Sequence, residues 1–496
     1  MFEVYLTPNG PLILENEQKI RIMHSIFRGN RTFSAIQRDT GYSKSSVYTF
    51  LKKLVADGYL RAEFEDLEGI DTQYAQDSHL VLTSVEIDED HRKINQPFFM
   101  DERYQDNLER WLWGYFVYSG HCSGISVAPL LGEVLYEIGK VAGELADSAE
   151  DPALLGPVID ILSKCRYAQV VPISPSRLTH NITMLFNATR RSTETMLRAV
   201  ISMMCGYLSS RTGKEYHVSD WSQSPENYGC VNISLEETDS VHERGYRRIE
   251  FSEGPECDFS IFWTGESYVP VVGETYNSIV QMLHVKPCSS QQISDELGIP
   301  QSTVSGYLKD LESRKVIISK RFQKRVEYRL FAIKTFDWKN FDPTHYDDAH
   351  DIAVKCVRDP EHAVRYWFQF YFHLQRLIGF DYELQAHYFG RRVGIKLLED
   401  FPEDTPDRIF DRLVHESHKV LSADFAVISI SPLTIARVAD YDMDEFTASI
   451  YATVYDALFT SLFSTYVKVP FRVKSSSVYG EGNRGYRATY LPDPTL

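Results

Sequence analysis

The sequence predicts a mixed α/β and α+β multidomain fold, in which a small three-helix segment with a two-stranded wing and a larger α/β segment occur in tandem, twice. Three observations carry this expectation. Gly41-Tyr-Ser-Lys-Ser-Ser-Val-Tyr-Thr-Phe-Leu-Lys-Lys-Leu54 returns without a gap as Gly298-Ile-Pro-Gln-Ser-Thr-Val-Ser-Gly-Tyr-Leu-Lys-Asp-Leu311, 257 residues on. Weaker matches follow at almost the same offset: Arg110-Trp111 with Tyr366-Trp367, Ile138-Gly139 with Val393-Gly394, Ile173-Ser174-Pro175 with Ile430-Ser431-Pro432, and Gly229 with Gly485. A chain of 496 residues also has length for several cores. A repeat of this kind reads as a tandem duplication. It divides the chain into 1–90, 91–265, 266–336 and 337–496.

Each small segment is helical by its spacing. Val47, Leu51 and Leu54 stand at i, i+4 and i+7, one face of a helix, and Val304, Leu308 and Leu311 repeat that face. A shorter helix precedes each (Phe33 and Ile36; Ile293 and Leu297), and Gly41 or Gly298 suits the tight turn between two helices. A third helix comes earlier still (Ile22 and Ile26; Ile279 and Leu283). Apolar runs afterwards predict a wing: Tyr59 to Phe64 with Leu80 to Val85, and Val316 to Ser319 with Val326 to Phe331. In the larger segments, Leu108 to Tyr118 and Val364 to Leu374 read as aromatic-rich helices. Leu130 to Leu145 and Ala386 to Leu398 read as helices with small residues on one face. Strands follow at Ala168 to Ile173 and Phe425 to Ile430, then helices at Thr193 to Leu208 and Met443 to Phe463. Strands at Tyr216 to Trp221 and Phe471 to Ser476, and a last strand at Cys230 to Leu235 and Tyr486 to Leu491, close each copy.

Helix, helix, glycine turn, helix is the helix-turn-helix order, whose second helix enters the major groove of DNA. Both segments resemble winged helix-turn-helix domains of the bacterial and archaeal repressor type, most clearly in Gln291-Gln-Ile-Ser-Asp-Glu-Leu-Gly-Ile-Pro-Gln-Ser-Thr-Val-Ser-Gly-Tyr-Leu-Lys-Asp-Leu311. Net charge is −17, so the chain as a whole is a poor ligand for a polyanion. The charge is uneven, however. Lys19 to Lys53 holds eight Lys or Arg against Asp39 alone, and Pro300 to Leu330 holds eight against three acidic residues. The first wing, Ala62 to Val85, has six acidic residues and no Lys or Arg, whereas the second carries Lys320, Arg321, Lys324 and Arg325. The residues expected to meet DNA are Lys44, Ser45, Thr49 and Lys52 in copy one and Gln301, Ser302, Thr303, Ser305 and Lys309 in copy two. The four basic residues of the second wing would hold phosphates.

The larger segments resemble, more loosely, the four-vinyl-reductase-type ligand-binding domain. The resemblance lies in Leu131-Gly-Glu-Val-Leu-Tyr-Glu-Ile-Gly-Lys-Val-Ala-Gly143, Gly206-Tyr-Leu-Ser-Ser-Arg-Thr-Gly-Lys-Glu-Tyr-His-Val218 and Gly229-Cys-Val-Asn-Ile233. It implies a sensor for a small, often hydrophobic molecule, similar in fold to haem-based nitric-oxide sensors. Family members often carry a Cys pair near the end. Here Cys230 has no partner Cys and copy two has Tyr486 at that place, so the pattern departs from a metal or thiol switch. The aromatics Trp111, Tyr115 and Tyr118, with Trp113, and Trp367 and Phe370, with Phe372, either line a ligand pocket or form helix core; core is the commoner use.

Several function classes find no support. No run approaches 18 apolar residues, so no transmembrane helix is expected. Met1 to Leu14 lacks the basic and apolar regions of a signal peptide. The seven cysteines are scattered without Cys-x-x-Cys, which fits a reducing cytoplasm and gives no zinc ribbon. His121-Cys122 lacks partners at ligand spacing, and His415-Glu-Ser-His418 lacks i, i+4 spacing. Gly480-Glu-Gly-Asn-Arg-Gly485 has the letters of a dinucleotide fingerprint without its helix, so a hairpin turn is expected. No Walker loop, triad spacing or nucleophile elbow is present, so neither enzyme activity nor a cofactor is expected.

The reading is a cytoplasmic, sequence-specific transcription regulator. Its partners would be double-stranded DNA and a small hydrophobic ligand, with no membrane. It would work as a pseudo-dimeric monomer or a homodimer. An adaptor using its winged helices for protein contacts is the alternative, and a tetrapyrrole- or haem-related binding protein the third.

Overall fold

The computed structural model describes residues 1–7, 10–63, 72–84, 108–149, 151–185, 190–223, 227, 229–238, 259–322, 325–337, 344–400, 408, 423–439 and 441–493. Its mixed α/β architecture divides into two compact units. One comprises Met1–Val85, Glu250–Thr344 and Gln375–Leu384, and the other Glu86–Ile249, His345–Leu374 and Gln385–Leu496. The first gathers both small helix-turn-helix segments, hereafter the readers, together with Gln375–Leu384, and the second the rest of both larger segments, although these alternate along the chain.

The first reader opens with β1 (Glu3–Thr7) and β2 (Gly10–Leu14), an antiparallel hairpin. Three helices follow: α1 (Glu17–Phe27), α2 (Phe33–Thr40) and α3 (Lys44–Ala56). Each has the N-cap its sequence offers. Asn16, Thr32 and Ser43 accept from the backbone N–H of Lys19, Ala35 and Ser46, satisfying donors the helix cannot. Gly41 ends α2 at φ 71°, the left-handed conformation that glycine adopts without steric cost. Ile20, Met23, Ile36, Val47, Leu51 and Leu54 make the core. The wing differs from expectation. β3 (Leu60–Glu63) pairs with β4 (Gln73–Gln76), while β5 (His79–Thr83) pairs with β1. The described part of the expected Leu80 to Val85 run is thus not a wing strand: β5 is drawn to the sheet β2-β1-β5, where Leu82 is wholly buried opposite Val4.

The first larger segment comprises α4 (Leu108–Cys122), α5 (Val127–Leu145), α6 (Gly156–Lys164), β6 (Ala168–Ser174), β7 (Thr179–Met184), α7 (Arg190–Thr212), β8 (Glu215–Gln223) and β9 (Cys230–Thr238). The second reader comprises β10 (Phe259–Trp263), β11 (Tyr268–Val272), α8 (Glu274–Val285), α9 (Ser290–Leu297), α10 (Gln301–Ser313), β12 (Ile317–Phe322), β13 (Arg325–Leu330) and β14 (Ile333–Asp337). Its sheet β11-β10-β14 repeats the topology of β2-β1-β5. β10 pairs with β11 and β14 across the expected boundary at 265/266, so its strand belongs to the sheet of this reader. Ser289 and Gln292 form a reciprocal capping box at α9, and Gly298 ends it at φ 67°. Its wing, β12 against β13, pairs Ile317 with Leu330 through Phe322 with Arg325, close to the expected runs.

The second larger segment has α11 (Thr344–Arg358), α12 (Ala363–Leu377), α13 (Tyr382–Asp400), β15 (Ala423–Ile430), β16 (Leu433–Ala439), α14 (Glu445–Val467), β17 (Phe471–Tyr479) and β18 (Gly485–Pro492). The strand orders β6-β7-β9-β8 and β15-β16-β18-β17 are the same, and every ladder in them is antiparallel. Glu481–Asn483 is a short turn between β17 and β18, so the glycine-rich letters there serve a hairpin. Glycine governs the helix packing. An added Cβ at Gly139 of α5 would overlap the Met203 carbonyl of α7, and one at Gly206 would overlap the Tyr136 carbonyl. At the corresponding places in copy two, Gly394 of α13 meets the Leu458 carbonyl and Ser461 Oγ of α14. The small-residue faces are therefore where two helix backbones approach.

Candidate DNA interface and shared aromatic core

In both readers the third helix buries one face and presents another. Val47, Leu51 and Leu54, and Val304, Leu308 and Leu311, have no solvent exposure. Lys44, Ser45, Thr49 and Lys52 of α3 are exposed, as are Gln301, Ser302, Thr303 and Lys309 of α10; Ser305 is half-buried. Tyr48, 60% exposed, stands among them and belongs on the candidate surface. It was legible as a polar-face residue but lacks the charge that singles out a lysine.

The hydrogen bonds grade these side chains. Thr49 Oγ1 donates to Ser45 O (2.9 Å), and Ser305 Oγ to Gln301 O (2.8 Å), so both hydroxyls spend their donor on the helix and keep acceptor capacity. Ser45 Oγ lies 3.0 Å from the cap Ser43 Oγ, and Gln301 Nε2 donates to Ser290 Oγ at 3.0 Å. Several other basic side chains of the readers are engaged internally: Arg28 with Asp39 (2.5 Å), Arg21 with Glu17 (2.6 Å), Lys19 with Asp57 (3.8 Å) and Lys315 with Glu266 (2.7 Å). Lys44, Lys52 and Lys309 are exposed and form no ion pair among the described residues.

Lys320 and Arg321 are exposed on β12, opposite Glu327 and Val326. As successive strand residues they alternate across the ribbon. Lys324 and the side chain of Arg325 lie outside the described residues, as do the first wing's residues 64–71, where most of its acidic groups fall. Of the remaining acidic side chains there, Asp77 Oδ1 lies 3.4 Å from Arg61.

The aromatic candidates of the larger segments form one core shared by both copies. Trp113 meets Phe368 edge-on at 4.7 Å and Trp367 at 6.1 Å, Phe116 meets Tyr371 at 5.0 Å, and Tyr167 meets Trp367 at 4.6 Å. Trp367, Phe370, Tyr115 and Tyr118 are buried in it, and Tyr115 Oη donates to Arg392 O at 3.4 Å. Of the two readings open for these rings, ring-to-ring packing favours core. The side chains of Trp111, His121 and Cys122, and residues 415 and 418, lie outside the described residues. Among the described residues no three His, Cys, Asp or Glu side chains are grouped to hold a metal. Cys230 is half-buried and takes weak hydrogen bonds from Asn181 (3.4 Å) and Thr183 (3.5 Å). Burial pushes the Cys205 thiol up to about 12, which removes it from thiolate chemistry.

Residues 16–62 and 274–316 each match the family described as bacterial regulatory protein, arsR family. The matches span α1 to α3 and α8 to α10, so two helix-turn-helix domains of regulator type stand at the repeated positions. They support a DNA-binding transcriptional regulator as the class of this protein. No curated protein and no solved structure matches the chain. No helix among the described residues is long and apolar enough to cross a membrane.

Proposed function

We propose that this chain is a sequence-specific transcriptional regulator whose two winged helices act as a pseudo-dimer, with the larger segments sensing a small molecule. The observation that carries it is the doubled third helix. Each copy sets a wholly buried Val-Leu-Leu face against an exposed polar face with unpaired lysines, within a segment that matches a regulator family. A major-groove helix needs such a division. Lys44, Lys52 and Lys309 would approach phosphates or guanine edges, Gln301 an adenine edge, and the second wing the backbone.

Two readers in one chain suit two half-sites spaced by about 34 Å, one helical turn. The sensor segments share one aromatic core, so a ligand that prefers one packing of that core would shift the arrangement of both copies together. This is the role the resemblance to ligand-binding domains supports, and the ligand remains part of the proposal.

The test is selection of bound sequences from a random duplex pool, followed by footprinting at two salt concentrations. A paired motif with a one-turn spacing is the expected result. A single half-site would assign DNA reading to the basic-winged copy and refute the pseudo-dimer. No enrichment at any salt would refute DNA reading and favour the adaptor, which the net charge of −17 would suit by attracting a basic protein partner.

A further inference from the structure

The second sensor segment contains two buried arginines that have no carboxylate partner among the described residues. Arg437 on β16 is 1% exposed and Arg365 on α12 is 5% exposed. Tyr441 neighbours both: its ring centroid is 3.9 Å from the Arg365 guanidinium carbon and 5.9 Å from that of Arg437. Tyr451 and Tyr455, one helical turn apart on α14, face Arg437 at 5.6 Å and 5.1 Å.

The rings offset the charge of each guanidinium, but they do not accept its N–H groups in the plane. Arg437 Nη2 donates to Tyr441 Oη at 3.2 Å, while Nε of Arg437 and Nε of Arg365 are buried without an acceptor. Buried charges are ordinarily paired and hydrogen-bonded, because desolvation is otherwise uncompensated. Four described acids on or beside these elements have other partners. Asp442 takes Arg484 at 2.6 Å. Asp444 caps α14 through Thr447 and lies 3.7 Å from His373. Asp456 accepts from Tyr486 and Tyr490, and Asp359 from Tyr366. Among the described residues no carboxylate meets either guanidinium, and two Nε–H donors are left for an acceptor.

We propose that Arg365 and Arg437 bind the carboxylate of a small organic acid, whose apolar body packs on the tyrosines around them. A carboxylate matches the guanidinium fork with two oxygens and one negative charge. The aromatic surroundings suit an apolar body, the usual lining of a ligand site. This deepens the sensing role proposed above and rests on it for its meaning, though not for its test.

The test uses the full chain with benzoate as probe and inorganic phosphate as comparison, read by titration calorimetry and by the melting temperature. Saturable benzoate binding is expected, weakened at least tenfold by Arg365→Gln and by Arg437→Lys. The lysine variant keeps the buried charge but loses the fork, so it separates recognition from simple charge. Tyr441→Phe, which removes one hydrogen bond and keeps the ring, serves should the arginine variants fail to fold; it is expected to weaken benzoate severalfold. Absence of benzoate binding, binding that no variant weakens, or binding of phosphate in preference to benzoate would each overturn the assignment. DNA binding is measured on the same samples without probe. Loss of the benzoate result with DNA binding intact sinks this site alone, whereas benzoate binding without any DNA binding sinks the regulator reading alone.

Discussion

Replacing Gly139 by alanine tests whether the fold of the larger segments depends on close approach of two helix backbones. Gly139 lies in the middle of α5, where alanine alone would raise helix propensity by about 0.8–1 kcal/mol. The added methyl, however, would occupy the space of the Met203 carbonyl of α7, with the Met203 carbonyl carbon only 2.8 Å away. A long side chain could turn aside, but a helical carbonyl cannot without breaking its own hydrogen bond. Relief must come from moving α5 and α7 apart, which loosens the packing on either side of the crossing. Overpacking of this kind costs about 1–3 kcal/mol. After the propensity gain, a net loss of up to about 2 kcal/mol is expected, a fall of up to about 8 °C in the melting of this unit at about 2–4 °C per kcal/mol. Gly206→Ala meets the Tyr136 carbonyl at the same crossing. The double variant should therefore lose less than the two single losses together, because helices already parted accommodate the second methyl. Gly306, in α10, supplies the control: nothing lies within 4 Å of its added Cβ, so alanine there should stabilise. Melting would be followed by near-ultraviolet circular dichroism. If Gly139→Ala melts at or above the parent temperature, as Gly306→Ala should, propensity alone rules and the close-approach argument is wrong.

Alanine at all four basic wing positions, Lys320, Arg321, Lys324 and Arg325, should weaken binding to every duplex alike. It should flatten the slope of log K against log salt by up to about 3.6, at about 0.9 for each phosphate no longer neutralised; an unchanged slope in anisotropy titrations would remove the wing from the interface. Gly306→Ala should stabilise the second reader yet weaken its DNA binding, because this bare, exposed position faces outward beside Ser305 and Lys309 and admits close approach of the helix backbone; equal affinity would show that the helix keeps its distance there. Stability should fall as pH drops from 7.5 to 6.0. Burial holds His180 below its ordinary value despite the Leu178 carbonyl that faces it, and burial with the Arg391 charge does the same for His387. The unfolded chain takes up protons near pH 6.5 that the folded chain refuses, so stability is present above that pH and lost as pH falls toward the depressed values. Denaturant midpoints at the two pH values should differ less in His180→Gln; the same difference in both proteins would show that His180 does not contribute.

The readers were legible in the sequence because what specifies them is local. A 3.6-residue period, a cap and a glycine in the left-handed region lie within a few residues of one another, and Ser43, Gly41, Ser289 and Gly298 all act as their identities imply. What was missed is non-local. β1 is buried along its whole length and so shows no alternation, and its partner β5 arrives only after three helices and a wing. β4, Gln-Tyr-Ala-Gln, offers no apolar pattern, and the stronger run at Leu80 drew the wing assignment to the wrong strand. β7 and β16 sit between elements that were recognised, and each is held by pairing on both sides rather than by its own composition. At the candidate sites, the exposed lysines follow directly from helical spacing. The meeting of Arg365 and Arg437 on one tyrosine does not, since it depends on how α12, β16 and α14 pack.

The two copies have kept their buried faces and changed their outward ones, which bears on what a single-chain pseudo-dimer would gain. Val47, Leu51 and Leu54 recur as Val304, Leu308 and Leu311, but Lys44 has become Gln301, Tyr48 has become Ser305 and Thr49 has become Gly306. Only Ser45 and Lys52 persist outward, as Ser302 and Lys309. Identical subunits are bound to read matching half-sites, because symmetry of the protein imposes symmetry on the operator. Readers joined in one chain escape that condition. Under the proposed function, Gln301 gives the second copy an amide suited to adenine where the first has a lysine suited to guanine or phosphate. The second copy also brings a basic wing where the first has an acidic one. The operator expected of such a chain is therefore two unlike half-sites, with most phosphate contact, and hence most salt dependence, on the side of the second reader.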